Sequence, residues 1–224
     1  MKDRKRKART ETFKIKNERS YEKTQLRFSM QFFEKRCIRY SMKIIEYDRD
    51  AAVSYARQWA FARNPQYYDF SRVGGDCTNF ASQCLFAGCG VMNFTSDLGW
   101  YYLSQNDRAA AWTGVEYFYN FLTGNLGNGY GNPFAQNVAE RLGKVIGNGA
   151  GPFAIETELA DLELGDFIQF GRETGDFYHT PIVVGFSDGE PLLAAHSYDG
   201  YNRPLRTYSY DRLRCLHVLG ARKP

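Results

Sequence analysis

Cys77 follows Gly74, Gly75 and Asp76 and opens the run "CTNFASQCLF". The two glycines allow a sharp turn, and Asp76 is a suitable N-cap, so Cys77 is expected in the first turn of a helix. Unsatisfied N–H groups and the positive end of the helix dipole stabilise a thiolate there and lower the thiol pKa. The same N–H groups can hold the oxyanion formed when a carbonyl is attacked. Asp76 and Asn79 are the candidates for the substrate-binding or oxyanion side of such a site.

A cysteine nucleophile needs a base, usually histidine, and a polar group to orient that base. The chain has three histidines. His179 opens the apolar run "HTPIVVGF", and His196 ends "PLLAAHS" after the turn "SDGE". If these runs pair as a hairpin, residues whose numbers sum to about 375–377 lie opposite one another, and the two histidines meet at one end. His217 lies within "CLHVLG" without polar company and reads as structural. Two competing readings are a buried helix-start thiol and a zinc site made of Cys77, His179 and His196. Three such ligands suffice for a catalytic zinc, but no closely spaced ligand pair is present.

The elements that would position these groups fall into three parts. Residues 1–46 form a basic extension with alternating runs at 12–16, 26–33 and 36–45 that suggest short strands after a frayed tail. Residues 47–145 read as helical. The first helix is capped by Asp48, has Ala52, Tyr55, Ala56, Trp59 and Ala60 on one face, and is stopped at Asn64-Pro65. Further helices are expected from Cys77 to about Gly88, over 114–125 and over 132–144. Beyond about residue 163 the chain reads as strands over 164–171, 178–187, 191–198 and 212–220. Helices first and antiparallel strands after define an α+β fold with segregated layers. Trp100, Tyr101, Tyr102, Trp112, Tyr117 and Tyr119 serve equally as groove walls or as core.

Charge separates the extension from the body. Residues 1–50 hold 16 Lys/Arg against 8 Asp/Glu, and the remainder 13 against 17. The basic tail suits a solvated end or an anionic partner; the mildly acidic body gives no reason to expect nucleic acid. Five cysteines without a CxxC pair argue against a disulfide framework. No apolar run reaches the ~20 residues of a membrane span, and no h-region follows the basic start. The expectation is a cytoplasmic chain or a fragment of an exported protein.

"YDRDAAVSYARQWA", "NPQYYDF", "GGDCTNFASQ", "LELGDFIQFG", "YHTPIVV" and "PLLAAHSYDGYNRPL" together resemble the family described as "Putative amidase domain", of the papain-like superfamily that includes NlpC-type cell-wall peptidases. The resemblance covers about 47–221. It implies N-terminal helices, one carrying the cysteine, packed on a C-terminal antiparallel sheet or partial barrel. Cys77, Asp166, His179 and His196 follow the order of the family's motif. By that match Cys77 is the nucleophile, His179 the general base and His196 the orienting group, with Asp199 and Asn202 as alternatives to His196. "CTNF" stands where the peptidases commonly have "CSG", so the substrate pocket should differ. The implied activity is a thiol-dependent amidohydrolase without cofactor or metal, acting on cell-wall or other short peptides. Acyl transfer would use the same residues. The alternative is an inactive peptide- or cell-wall-binding module.

Overall fold

In a computed structural model, residues 42–95, 99–124 and 149–224 are described, and residues 42–224 form a unit distinct from 1–41. The strands expected over 12–16 and 26–33, most of 36–45, and the helix over 132–144 lie outside the described residues. Strand β1 (Lys43–Ile45), on the extension side of the expected boundary at 46/47, pairs with the C-terminal strand.

Asp48 caps helix α1 (Arg49–Trp59) by accepting from the Ala51 amide at 2.8 Å, and Ala52, Val53 and Ala56 are buried. The helix stops before the expected Asn64-Pro65. The Trp59 carbonyl is instead taken by the Ala62 amide and by His196. Helix α2 (Cys77–Cys89) ends at Gly90, whose left-handed backbone suits glycine. It is buried on nearly every side, so its polar residues need internal partners. Ser82 accepts from Trp100 Nε1, and Gln83 accepts from the Tyr55 hydroxyl. A hairpin of β2 (Tyr102–Ser104) and β3 (Asp107–Arg108) leads to the short helices α3 (Ala110–Thr113) and α4 (Val115–Thr123).

The C-terminal part is a curled antiparallel sheet of β4 (Gly151–Thr157), β5 (Phe167–Gly171), β6 (Phe177–His179), β7 (Ile182–Ser187), β8 (Glu190–Ala195), β9 (Gly200–Pro204) and β10 (Arg212–Lys223). The order is β1-β10-β5-β7-β8-β9, with β4 also on β10 and β6 also on β5. The fold is therefore α+β, four helices with a curled sheet among the described residues. Strand β4 is not among the strands expected from the sequence, and it begins with Gly151 and Pro152. Pro152 sits opposite Ala221 in an outer strand, where a missing N–H is tolerated.

Alternation along the strands divides the apolar residues. Phe167, Ile182, Ala194 and Leu216 face the helices with Phe80, Trp100, Trp112 and Phe118, whereas Ile168, Phe170, Val183 and Leu193 pack with Leu205 and Cys215 on the other side. Trp100, Tyr102 and Trp112 are thus core, and Tyr117 is exposed. Among the described residues no helix is long and apolar enough to cross a membrane.

Candidate active site

The β7–β8 hairpin has the expected register, with Ile182 opposite Ala194 and Val183 opposite Leu193. Pairing stops at Ile182. The chain then passes Pro181, which has no N–H to offer a ladder, and β6 pairs with β5 instead, His179 opposite Phe170. Past the end of β8, the outer edge of Tyr178–Thr180 meets the start of α2 rather than a strand. The Cys77 sulfur lies 3.9 Å from the Tyr178 carbonyl and faces the Thr180 N–H, and Thr78 Oγ1 is 3.4 Å from Thr180 Oγ1. A helix N-terminus closes the edge of the sheet, and the thiol sits beside the backbone of His179.

The same register separates the two histidines. Carried past Ile182–Ala194, it places His196 across from Thr180 rather than His179, and a one-residue offset is a change of face. The His196 ring accordingly stacks on Phe80 of α2 at 4.0 Å between centroids. His179 stacks on Phe170 and meets the Tyr208 ring at a tilt, on the face away from the helices. His196 Nδ1 is 2.6 Å from Asp76 Oδ2 and Nε2 is 2.9 Å from the Trp59 carbonyl. Both its nitrogens are thus engaged, neither by His179.

Asp76 does not cap α2 with its side chain. Its Oδ1 accepts from the Phe70 amide and from Asn79 Nδ2, and its Oδ2 meets His196. The first-turn N–H groups of α2 therefore have no carboxylate seated on them. Asn79 also donates to the Tyr68 carbonyl and accepts from Trp112 Nε1, which commits its amide to the core. The Asp76 amide donates to Ser197 Oγ at 2.7 Å, and Ser197 holds a left-handed backbone (φ 77°) to receive it. Asp199 forms a two-pronged pair with Arg63, both contacts 2.9 Å.

The electrostatics differ from a pre-ionised thiol. Burial pushes the Cys77 thiol up; the Thr180 N–H and the hydroxyl and N–H of Thr78 act the other way. Burial, with the Arg203 charge adding to it, lowers His179 to about 4. At neutral pH the pair is therefore thiol and neutral imidazole, not the helix-stabilised thiolate expected from the sequence. Of the His179 nitrogens, Nε2 is sealed from solvent with no partner among the described residues.

A histidine held below its ordinary 6.5 ties stability to pH. The unfolded chain takes up a proton near 6.5 and the folded one only near 4, so this contribution is present above 6.5 and lost as pH falls towards 4. Urea unfolding at about pH 7 and about pH 4.5 should show His179→Gln losing roughly 2 to 3 kcal/mol less on acidification than wild type. Equal losses would mean that the imidazole is not buried in its neutral form.

Asp166 lies at a second polar centre. Its carboxylate is fully buried and accepts from Arg49 Nη1 (2.7 Å), the Val218 amide (3.0 Å) and the Glu163 amide (2.8 Å), and it lies 2.8 Å from His217 Nδ1. His217 thus has polar company, contrary to the sequence reading. This cluster joins the start of α1 to β5 and β10. Among the described residues no group of three His, Cys, Asp or Glu side chains is arranged to hold a metal ion, and Cys77, His179 and His196 do not form such a set.

The fold and this site describe an α+β protein in which a helix-start thiol meets the open edge of an antiparallel sheet. The chain belongs to the family described as "Putative amidase domain", which matches residues 46–219. It is also similar to "Uncharacterized protein YhbB" of Bacillus subtilis (strain 168), 32% identical over 174 residues. That match covers 75% of this chain and 46% of the relative, so the chain spans less than half the relative's length. No solved structure matches.

Proposed function

We propose that the protein is a thiol amidohydrolase of papain-like type, cleaving an amide bond through an acyl-cysteine intermediate. The carrying observation is the seating of Cys77 on the sheet edge, 3.9 Å from the carbonyl of the residue before His179. As the sulfur attacks the substrate carbonyl, the neutral His179 ring takes the thiol proton. The carbonyl oxygen becomes the oxyanion of a tetrahedral adduct and is held by first-turn N–H groups of α2. Collapse breaks the C–N bond, and the amine leaves with the proton from His179. Water, deprotonated by the same ring, then cleaves the thioester and restores the thiol. His196 and Asp76 fix the turn that carries Cys77; neither meets the substrate in this reading. The substrate class that fits the family is a short peptide or other small amide, cell-wall peptides among them.

The reading is tested by incubating the protein with a panel of N-acyl dipeptide anilides and quenching in acid. Intact mass and peptide mapping should find an acyl group on Cys77 and released aniline in solution. Aniline release with the acyl group on another cysteine, or no release from any member of the panel, would overturn it.

A further inference from the structure

Two buried polar atoms on the far face of the sheet lack partners among the described residues: His179 Nε2 and the Tyr208 hydroxyl. They belong to neighbouring rings, with centroids 6.1 Å apart, both packed against Phe170. Leaving either group dry is costly, so one orphan beside another calls for a link between them. One can donate where the other accepts, and a single ordered water, or a small rotation of either ring, completes the bond.

We infer that Tyr208 is the positioning residue of His179. Its hydroxyl accepts from Nε2–H, directly or through one water, and so keeps the imidazole proton on the buried nitrogen. The lone pair is then left on Nδ1, the nitrogen not sealed in beneath the ring. This rests on the thiol-amidase reading and supplies the orienting group that His196 and Asp199 cannot, since both are engaged elsewhere. The surroundings support a held Tyr208. Its ring lies under the Arg203 guanidinium at 4.2 Å, and Arg203 is itself tied to Thr207. Phe170 in turn stacks on Tyr210. The charge acting on His179 is that of Arg203, and it opposes ring protonation.

Tyr208→Phe keeps the ring and its packing and removes only the oxygen. The test is nitrogen-15 NMR of the imidazoles in the full chain, with His179 assigned through His179→Gln. Wild-type protein should show His179 as the Nε2–H tautomer near neutral pH. Tyr208→Phe should show a mixture of tautomers and, with an amide substrate, a roughly 10- to 100-fold lower kcat at little-changed KM. An unchanged tautomer ratio in Tyr208→Phe overturns the assignment. The tautomer readout needs no turnover, so it separates failure of this link from failure of the amidase reading.

Discussion

Cys77→Ser should lose amide turnover by roughly a thousandfold or more while unfolding within about 1 kcal/mol of wild type. Cys77 is a member of neither apolar cluster, although it is buried. Its neighbours are the Thr78 hydroxyl, the Tyr178 carbonyl and the Thr180 N–H, so a serine hydroxyl finds partners there. On the proposed mechanism serine loses nucleophilicity, because His179 as a base near 4 cannot deprotonate an alcohol as readily as a thiol. The same electrostatics specify the pH profile. Because burial raises the thiol, alkylation of Cys77 by iodoacetamide should climb with pH and reach half-maximum above the ordinary value of about 8.5. Turnover should need neutral His179 and fail only as pH falls towards 4. Alkylation already on a plateau near about pH 6 would show a standing thiolate–imidazolium pair and overturn the neutral-pair mechanism. Full turnover by Cys77→Ser would remove the thiol from the mechanism altogether.

The start of α2 at Cys77 and the β7–β8 register were legible because they are local. Gly-Gly-Asp before an apolar run marks a helix start, and "SDGE" between two β-prone runs counts residues across a hairpin. The separation of His196 from His179 arises one step beyond that local information. The hairpin sum leaves an uncertainty of one residue, and in a sheet one residue decides which layer a side chain joins. Pro181 removes the ladder that would have resolved it. Capping is the local use of an aspartate at position 76; its partners instead include Phe70, six residues back, and His196, just past the end of β8. His217 looked unaccompanied for the same reason. Its partner Asp166 is 51 residues away in sequence and is brought close only by β5–β10 pairing. Tyr208 carried no signal, since nothing in "RTYSYDR" distinguishes a tyrosine under an arginine from one in solvent.

Asp76→Ala should destabilise the protein by about 3 to 5 kcal/mol, lowering Tm by roughly 10 °C for a body of this size. Trp59 offers His196 a carbonyl, which can only accept, so Nε2 carries a proton. The 2.6 Å contact on the other side requires a second proton between Nδ1 and Asp76 Oδ2. Asp76 Oδ1 meanwhile accepts from Phe70 N and Asn79 Nδ2, so the carboxyl group ties the ring to two further buried groups. Both side chains are 1% exposed, so removing the carboxylate strands a buried ring and two buried donors at once. His196→Gln should cost less, roughly 1 to 3 kcal/mol, because Asp76 keeps its Phe70 and Asn79 donors. Since the pair holds the turn that presents Cys77, turnover should fall in step with the loss of folded structure and recover when the His196→Gln protein is assayed at lower temperature. A His196→Gln protein of wild-type Tm with turnover abolished at every temperature would reverse this assignment and place His196 in the chemistry. The distinction is between a histidine that moves a proton and one that anchors the nucleophile's turn, and the two bonds already made by its ring favour the anchor.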